Sequence, residues 1–70
     1  MSKQNPKFPP RLAAAGYFAE RLARDRHEAQ YVFMDRTTPV VSDKDPGNRE
    51  KFLVKPSGKI EHIQPAAAAV

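Results

Sequence analysis

The sequence predicts a small α+β domain, in which one amphipathic helix is followed by a small antiparallel sheet of two to three strands. Three observations carry this prediction. The stretch 10–34 holds the longest helical periodicity in the chain, and its end turns aromatic and β-branched. Residues 52–63 form two short apolar runs around a Pro-Ser-Gly turn, which is typical of a hairpin. A length of 70 residues suffices for one domain.

The predicted helix begins at Pro10, because proline is favoured in the first turn, and we expect it to end near Ala29. At about 100° per residue, six apolar side chains fall within one arc of roughly 120°. They are Leu12, Ala15, Phe18, Ala19, Leu22 and Ala29. Gly16 lies beside this arc and costs roughly 1 kcal/mol relative to alanine. We therefore expect a strand to approach the helix closely at Gly16.

The strands are predicted from short apolar runs between turn residues. Residues 31–34 form the first, closed by residues 35–39, and Val40 and Val41 form a second short extended piece that Pro39 places at a sheet edge. Residues 42–48 are a loop, and 52–55 with 59–63 form the hairpin. Ile60 and Ile63 have opposite parity, so one of them leaves the packed face unless a bulge intervenes. The predicted core is Leu12, Phe18, Leu22, Val32 or Phe33, Phe52, Val54 and Ile60.

This reading divides the chain into three parts. Residues 1–9 are a flexible basic arm, 10–63 a single α+β domain, and 64–70 a disordered tail. The chain has no cysteine, no apolar run long enough to span a bilayer and no signal-peptide pattern. We therefore expect a cytoplasmic protein without membrane contact, monomeric when free.

The positive charge is concentrated in the first part of the chain. The formal net charge is +4. Residues 1–26 hold six basic and two acidic side chains, whereas residues 27–70 hold six of each, so the excess lies on the arm and the helix. An acidic partner, either nucleic acid or an acidic protein surface, is expected to meet that end.

No pattern indicates catalysis, a metal or a cofactor. Asp43 and Asp45 resemble the start of a calcium loop, but Gly47 stands at its fifth position and Val54 where a glutamate is needed. Two histidines without a cysteine do not complete a zinc site. Neither an activated nucleophile nor a phosphate-binding glycine loop is present. We therefore expect no enzyme activity and no cofactor.

The remaining function classes work by contact. The first choice is a non-enzymatic protein-binding regulator, and the alternative is direct DNA or RNA binding through the basic arm and helix. An accessory subunit of a larger particle is a third class. Candidate partner-binding residues are Lys3, Lys7, Phe8, Arg11, Arg21 and Arg24. Phe8 has two readings: it covers the helix start, or it anchors a partner. We rank the arm with the first helical turns ahead of loop 42–50, and that loop ahead of the hairpin.

Two stretches carry a resemblance to a known family. With the small, basic, cysteine-free character of the chain, NPKFPPRLAAAGYFA (5–19) and KFLVKPSGKIEHI (51–63) resemble small bacteriophage-encoded regulators that bind host RNA polymerase. The nearest are the transcription inhibitors and antiterminators of Xanthomonas phages. The resemblance implies a stoichiometric inhibitor that contacts polymerase subunits and interferes with promoter engagement or the σ factor. It assigns no role to any individual residue.

Overall fold

In the part of the chain that the structure describes, one helix packs on a four-stranded antiparallel sheet. The computed structural model describes residues 8–66. Its elements are a 3-10 turn, Pro10–Leu12; α1, Ala13–Arg26; β1, Gln30–Asp35; β2, Thr38–Ser42; β3, Lys51–Val54; and β4, Ile60–Ile63. The strand order is β2-β1-β3-β4, and every neighbouring pair is antiparallel. The predicted α+β class is confirmed, with four strands rather than two to three.

The helix packs on the sheet through small side chains. Its buried positions are Gly16, Ala19 and Ala23, which follow the buried Leu12 at helical spacing. This face is rotated by roughly 70° from the centre of the predicted arc. Phe18 is consequently 56% exposed, so its predicted place in the core is wrong. Small side chains allow the helix backbone to approach the sheet, whereas the bulky Phe18 would hold it away.

The helix ends three residues earlier than predicted. Arg26 is its last residue, and His27 adopts a left-handed conformation with φ of 54°. The N–H groups of His27 and Glu28 both donate to the carbonyl of Ala23, which closes the final turn. Glycine usually occupies a left-handed position at a helix end. Because a histidine occupies it here, the sequence does not indicate where the helix ends.

Phe8 packs against the helix at Gly16. Its side chain is only 5% exposed and belongs to the central hydrophobic cluster. A Cβ atom placed on Gly16 would lie 2.5 Å from Cε2 of Phe8, which leaves no room for it. The close approach predicted at Gly16 therefore exists, but the partner is this phenylalanine and not a strand. Phe8 also contacts Phe52, with ring centroids 5.0 Å apart.

A two-residue turn joins β1 to β2. Asp35 pairs with Thr38, so the turn consists of Arg36 and Thr37 and is shorter than the predicted 35–39. Arg36 has a φ of 60°. Pro39 lies on β2, which is an edge strand as predicted. A proline is tolerated on an edge strand because every second N–H group of such a strand points away from the sheet.

The second hairpin agrees with its prediction. Gly58 has a φ of 94° in the turn between β3 and β4, and the Lys55 N–H donates to the Lys59 carbonyl at 2.9 Å. Ile60 pairs with Val54 and packs against the core. Ile63 pairs with Lys51, which lies an odd number of residues from Val54 along β3. Ile63 therefore points to the face of the sheet opposite that of Ile60.

Different parts of the chain pack on the two faces of the sheet. Val32, Phe52 and Val54 belong to the cluster under α1. Tyr31 and Phe33 alternate with Val32 and point to the other face. That face is covered in part by the loop between β2 and β3. Phe33 is thus buried as well as Val32, but on the opposite side of the sheet.

Candidate partner-binding surfaces

The loop between β2 and β3 is fastened to the sheet by a buried lysine. Lys51 is 8% exposed, and its ammonium group donates to Asp45 at 2.5 Å and to the Gly47 carbonyl at 2.7 Å. The same Asp45 carboxylate accepts the Gly47 N–H. The hydrogen bond from Lys51 makes the largest contribution to lowering the pKa of the Asp45 carboxyl, and the bond from the Gly47 N–H lowers this pKa further. Asp45 is therefore engaged in holding the loop.

Two further contacts between basic and acidic side chains involve β4. Lys55 and Glu61 approach to 2.8 Å across the hairpin, and this contact lowers the pKa of the Glu61 carboxyl. His62 Nε2 lies 2.6 Å from a Glu50 oxygen, and its ring stacks on Phe52 with centroids 4.4 Å apart. Together with Lys51 and Asp45, these are the three close contacts between basic and acidic side chains within residues 8–66.

The helix side has basic groups without such partners. Arg21 and Arg24 are exposed on α1, about 60° apart around the helix axis. Neither forms an ion pair within the described part of the chain. Tyr17 lies between them in angle and is 45% exposed. The exposed surface of α1 therefore combines two available guanidinium groups with an aromatic side chain.

A cleft of about 290 Å³ opens at one end of the sheet. The 3-10 turn supplies one wall through Pro9, Arg11 and Leu12. Its remaining lining comes from β1, from the residues before β3 and from Phe52: Val32, Phe33, Met34, Asn48, Arg49, Glu50 and Phe52. Arg49 extends over the Phe33 ring at 5.4 Å from its centroid. The cleft thus has an apolar floor and a largely polar rim.

The predicted site residues do not form one cluster. Arg11 is exposed at the cleft, and Arg21 and Arg24 lie on α1. Phe8 is buried, which agrees with the reading in which it covers the helix start and leaves little surface for a partner. Lys3 and Lys7 lie outside the described residues, as do residues 67–70 of the tail.

Sequence reasoning missed the cleft and its second arginine. Arg49 belongs to the loop that ranked second among the contact surfaces, but nothing in its neighbourhood distinguishes it from an ordinary loop cation. The two strands were predicted with equal lengths, so the sequence did not show that the chain before β3 returns beside Arg11.

Among residues 8–66, no group of three or more potential ligands is arranged to hold a metal ion. In the same range, no helix has the length and apolar character needed to cross a membrane. Residues 8–66 thus form a small α+β unit in which one helix carries exposed arginines and a cleft with a polar rim opens at one end of the sheet. No protein-family model matches the chain, and no significant match was found among curated proteins or solved structures.

Proposed function

We propose that this chain is a non-enzymatic protein-binding regulator that meets an acidic surface of its partner with the helix side. The observation that carries the proposal is the distribution of ion pairs. Along β3, β4 and the loop before β3, Asp45, Glu50 and Glu61 each contact a basic side chain. On the helix side, Arg21 and Arg24 are exposed without such a neighbour among the described residues. These two guanidinium groups are available to carboxylates of a partner protein, whose surface can place them opposite the arginines and away from Asp25 and Glu28.

The partner in this proposal is bacterial RNA polymerase. This step rests on the resemblance of stretches 5–19 and 51–63 to the phage regulators named above. The chain then acts in the cytoplasm of a bacterial host, where it inhibits transcription initiation or promotes antitermination. A protein of this size without chemistry of its own acts by occupying a surface that the polymerase needs for promoter or σ-factor contact.

Direct measurement with purified components tests this function. The full chain is immobilised, and the RNA polymerase of a Xanthomonas host is applied as core enzyme and as holoenzyme. We expect saturable binding at physiological salt and dose-dependent loss of run-off transcript from a σ-dependent promoter. Absence of binding to both forms at low salt, where charge attraction is strongest, would exclude the polymerase as partner.

The second candidate is direct DNA or RNA binding, which the exposed arginines also favour. Against it, Asp25 and Glu28 are exposed at the same end of the helix and would face phosphates unfavourably. This candidate predicts a gel shift whose affinity falls steeply with salt. Replacing Lys3, Lys7 and Arg11 by alanine should then weaken binding about equally on all sequences. A chain that shifts neither duplex nor single strands at low salt removes the candidate.

A further inference from the structure

The cleft exists because β1 continues past the start of β3. The last residue pair between these strands joins Val32 to Phe52, so Phe33 and Met34 lie beyond it. The residues just before β3 leave the ladder, and the Arg49 N–H donates instead to the Gly47 carbonyl at 2.9 Å. The space next to Phe33 and Met34 is therefore not filled by a paired strand.

The rim of the cleft has an excess of available positive charge. Three charged side chains line it: Arg11, Arg49 and Glu50. Glu50 is paired with His62 outside the cleft lining. Arg49 lies over an aromatic ring, and Arg11 forms no ion pair within residues 8–66. An incoming carboxylate therefore meets two guanidinium groups, which bind carboxylates in bidentate geometry.

Apolar residues form part of the cleft lining, and the cleft is large enough for one side chain. Leu12, Val32, Phe33, Met34 and Phe52 contribute to it. A volume of about 290 Å³ lies at the lower limit of the range typical for small-molecule sites, which is about 300–1,000 Å³. One aliphatic or aromatic side chain fits within such a space.

We infer that this cleft receives one apolar side chain from an acidic segment of a partner protein. The apolar floor binds the side chain, while Arg11 and Arg49 bind carboxylates next to it in the partner's sequence. The inference rests on the proposed function, since it gives the chemistry of a second contact with the same kind of partner.

The geometry favours a peptide over a nucleic-acid base. Base recognition by small domains uses exposed aromatic faces on which the base stacks. In this cleft, Phe33 is only 9% exposed with Arg49 above its ring, and Phe52 is stacked on His62. The two aromatic rings already have partners on these faces, so a base finds no free platform there.

Titration with short peptides, followed by NMR spectroscopy of the full chain, tests the inference. The probe is a capped pentapeptide with leucine between two pairs of glutamates. Its matched control has alanine at the centre. We expect the leucine peptide to shift the amide signals of Phe33, Met34 and Arg49. The alanine peptide should bind at least about tenfold more weakly, because it leaves the apolar floor unfilled.

Charge reversal at the rim provides the second arm of the experiment. Arg11→Glu should weaken binding of the leucine peptide at least about tenfold at low salt, because like charges then face each other. Lys59→Glu changes the charge equally but lies in the turn between β3 and β4, away from the cleft and from α1, so it should leave the affinity within about twofold. Urea unfolding of both variants verifies that they are folded.

Three results would overturn the inference: equal affinity for the two peptides, no shift in the cleft signals, or a thymidine tetranucleotide that occupies the cleft more tightly than the leucine peptide.

These outcomes can be distinguished from a failure of the proposed function. If the peptide fails while polymerase still binds, the cleft inference is wrong and the regulator proposal stands. If the peptide binds the cleft but no polymerase binds, the cleft assignment stands and the polymerase assignment is wrong.

Discussion

Replacing Gly16 by alanine should destabilise the protein, although alanine is the better helix former. Gly16 lies inside α1, where glycine is less favourable than alanine by roughly 1 kcal/mol. In an open helix the substitution would therefore raise the free energy of unfolding. Here the added methyl group would lie 2.5 Å from Cε2 and 2.8 Å from Cγ of Phe8. These atoms belong to a rigid ring that is itself packed against Phe52.

The magnitude follows from two opposing contributions. Overpacking of a well-filled core costs about 1–3 kcal/mol when neighbours shift to make room. If Phe8 is displaced completely, the loss of its burial costs about 3–5 kcal/mol. Subtracting the gain of roughly 1 kcal/mol in helix propensity leaves a net loss for Gly16→Ala of about 0–2 kcal/mol if the neighbours shift, and of about 2–4 kcal/mol if Phe8 is displaced completely.

A double-mutant cycle isolates this contact. The free energy of unfolding is measured by urea denaturation for the wild type, Gly16→Ala, Phe8→Ala and the double variant. A stabilising osmolyte keeps the weaker variants folded. In the Phe8→Ala background the methyl group has space, so Gly16→Ala should become stabilising by roughly 1 kcal/mol. The reasoning is refuted if Gly16→Ala stabilises the wild type, or if its effect is the same in both backgrounds.

The remaining predictions concern backbone strain and buried charge. His27→Gly and Arg36→Gly should each raise the free energy of unfolding by about 0.5–1 kcal/mol, because both residues have positive φ values. Urea denaturation measures this, and an unchanged or lower free energy of unfolding would contradict it. Asp45→Asn should lower the urea midpoint more than Lys51→Met, because the first leaves a buried ammonium group without its carboxylate and the second removes that group; the reverse order would contradict it. The lowered pKa values of Asp45 and Glu61 mean that the unfolded chain binds more protons, so their stabilisation is complete above about pH 5 and is lost as the pH falls through the folded-state pKa values. The double variant Asp45→Asn/Glu61→Gln should therefore lose less stability than the wild type on acidification from about pH 5 to 2, and an equally steep loss would count against the two ion pairs.

The elements with local turn chemistry could be predicted from the sequence. The Pro-Ser-Gly turn located the hairpin of β3 and β4, and Pro39 located the edge strand. The predictions were less accurate where an unusual residue adopts a glycine-like conformation. His27 follows the last residue of the helix, and Arg36 lies in the turn between β1 and β2. Both have positive φ values, which the identity of a histidine or an arginine does not predict. Their local sequence therefore favoured a longer helix and a longer loop.

The helix phase and the cleft depend on distant contacts. The prediction gave weight to large apolar side chains and selected Phe18, whereas the sheet required the small positions Gly16, Ala19 and Ala23. Gly16 correctly indicated that another residue approaches the helix closely, but a glycine alone does not identify that residue as Phe8. The cleft results from the unequal lengths of β1 and β3, and no local motif encodes such a difference.

The central claim is that the partner binds the basic helix side, and a charge-matched comparison tests it most directly. Affinity for purified RNA polymerase is measured by biolayer interferometry for the wild type, Arg21→Ala/Arg24→Ala and Lys44→Ala/Lys59→Ala. Each double variant removes two exposed positive charges, the first from α1 and the second from the sheet side. We predict a loss of affinity of about tenfold or more at low salt for the arginine pair and of less than about twofold for the lysine pair. Equal losses for both pairs, or a larger loss for the lysine pair, would contradict the account.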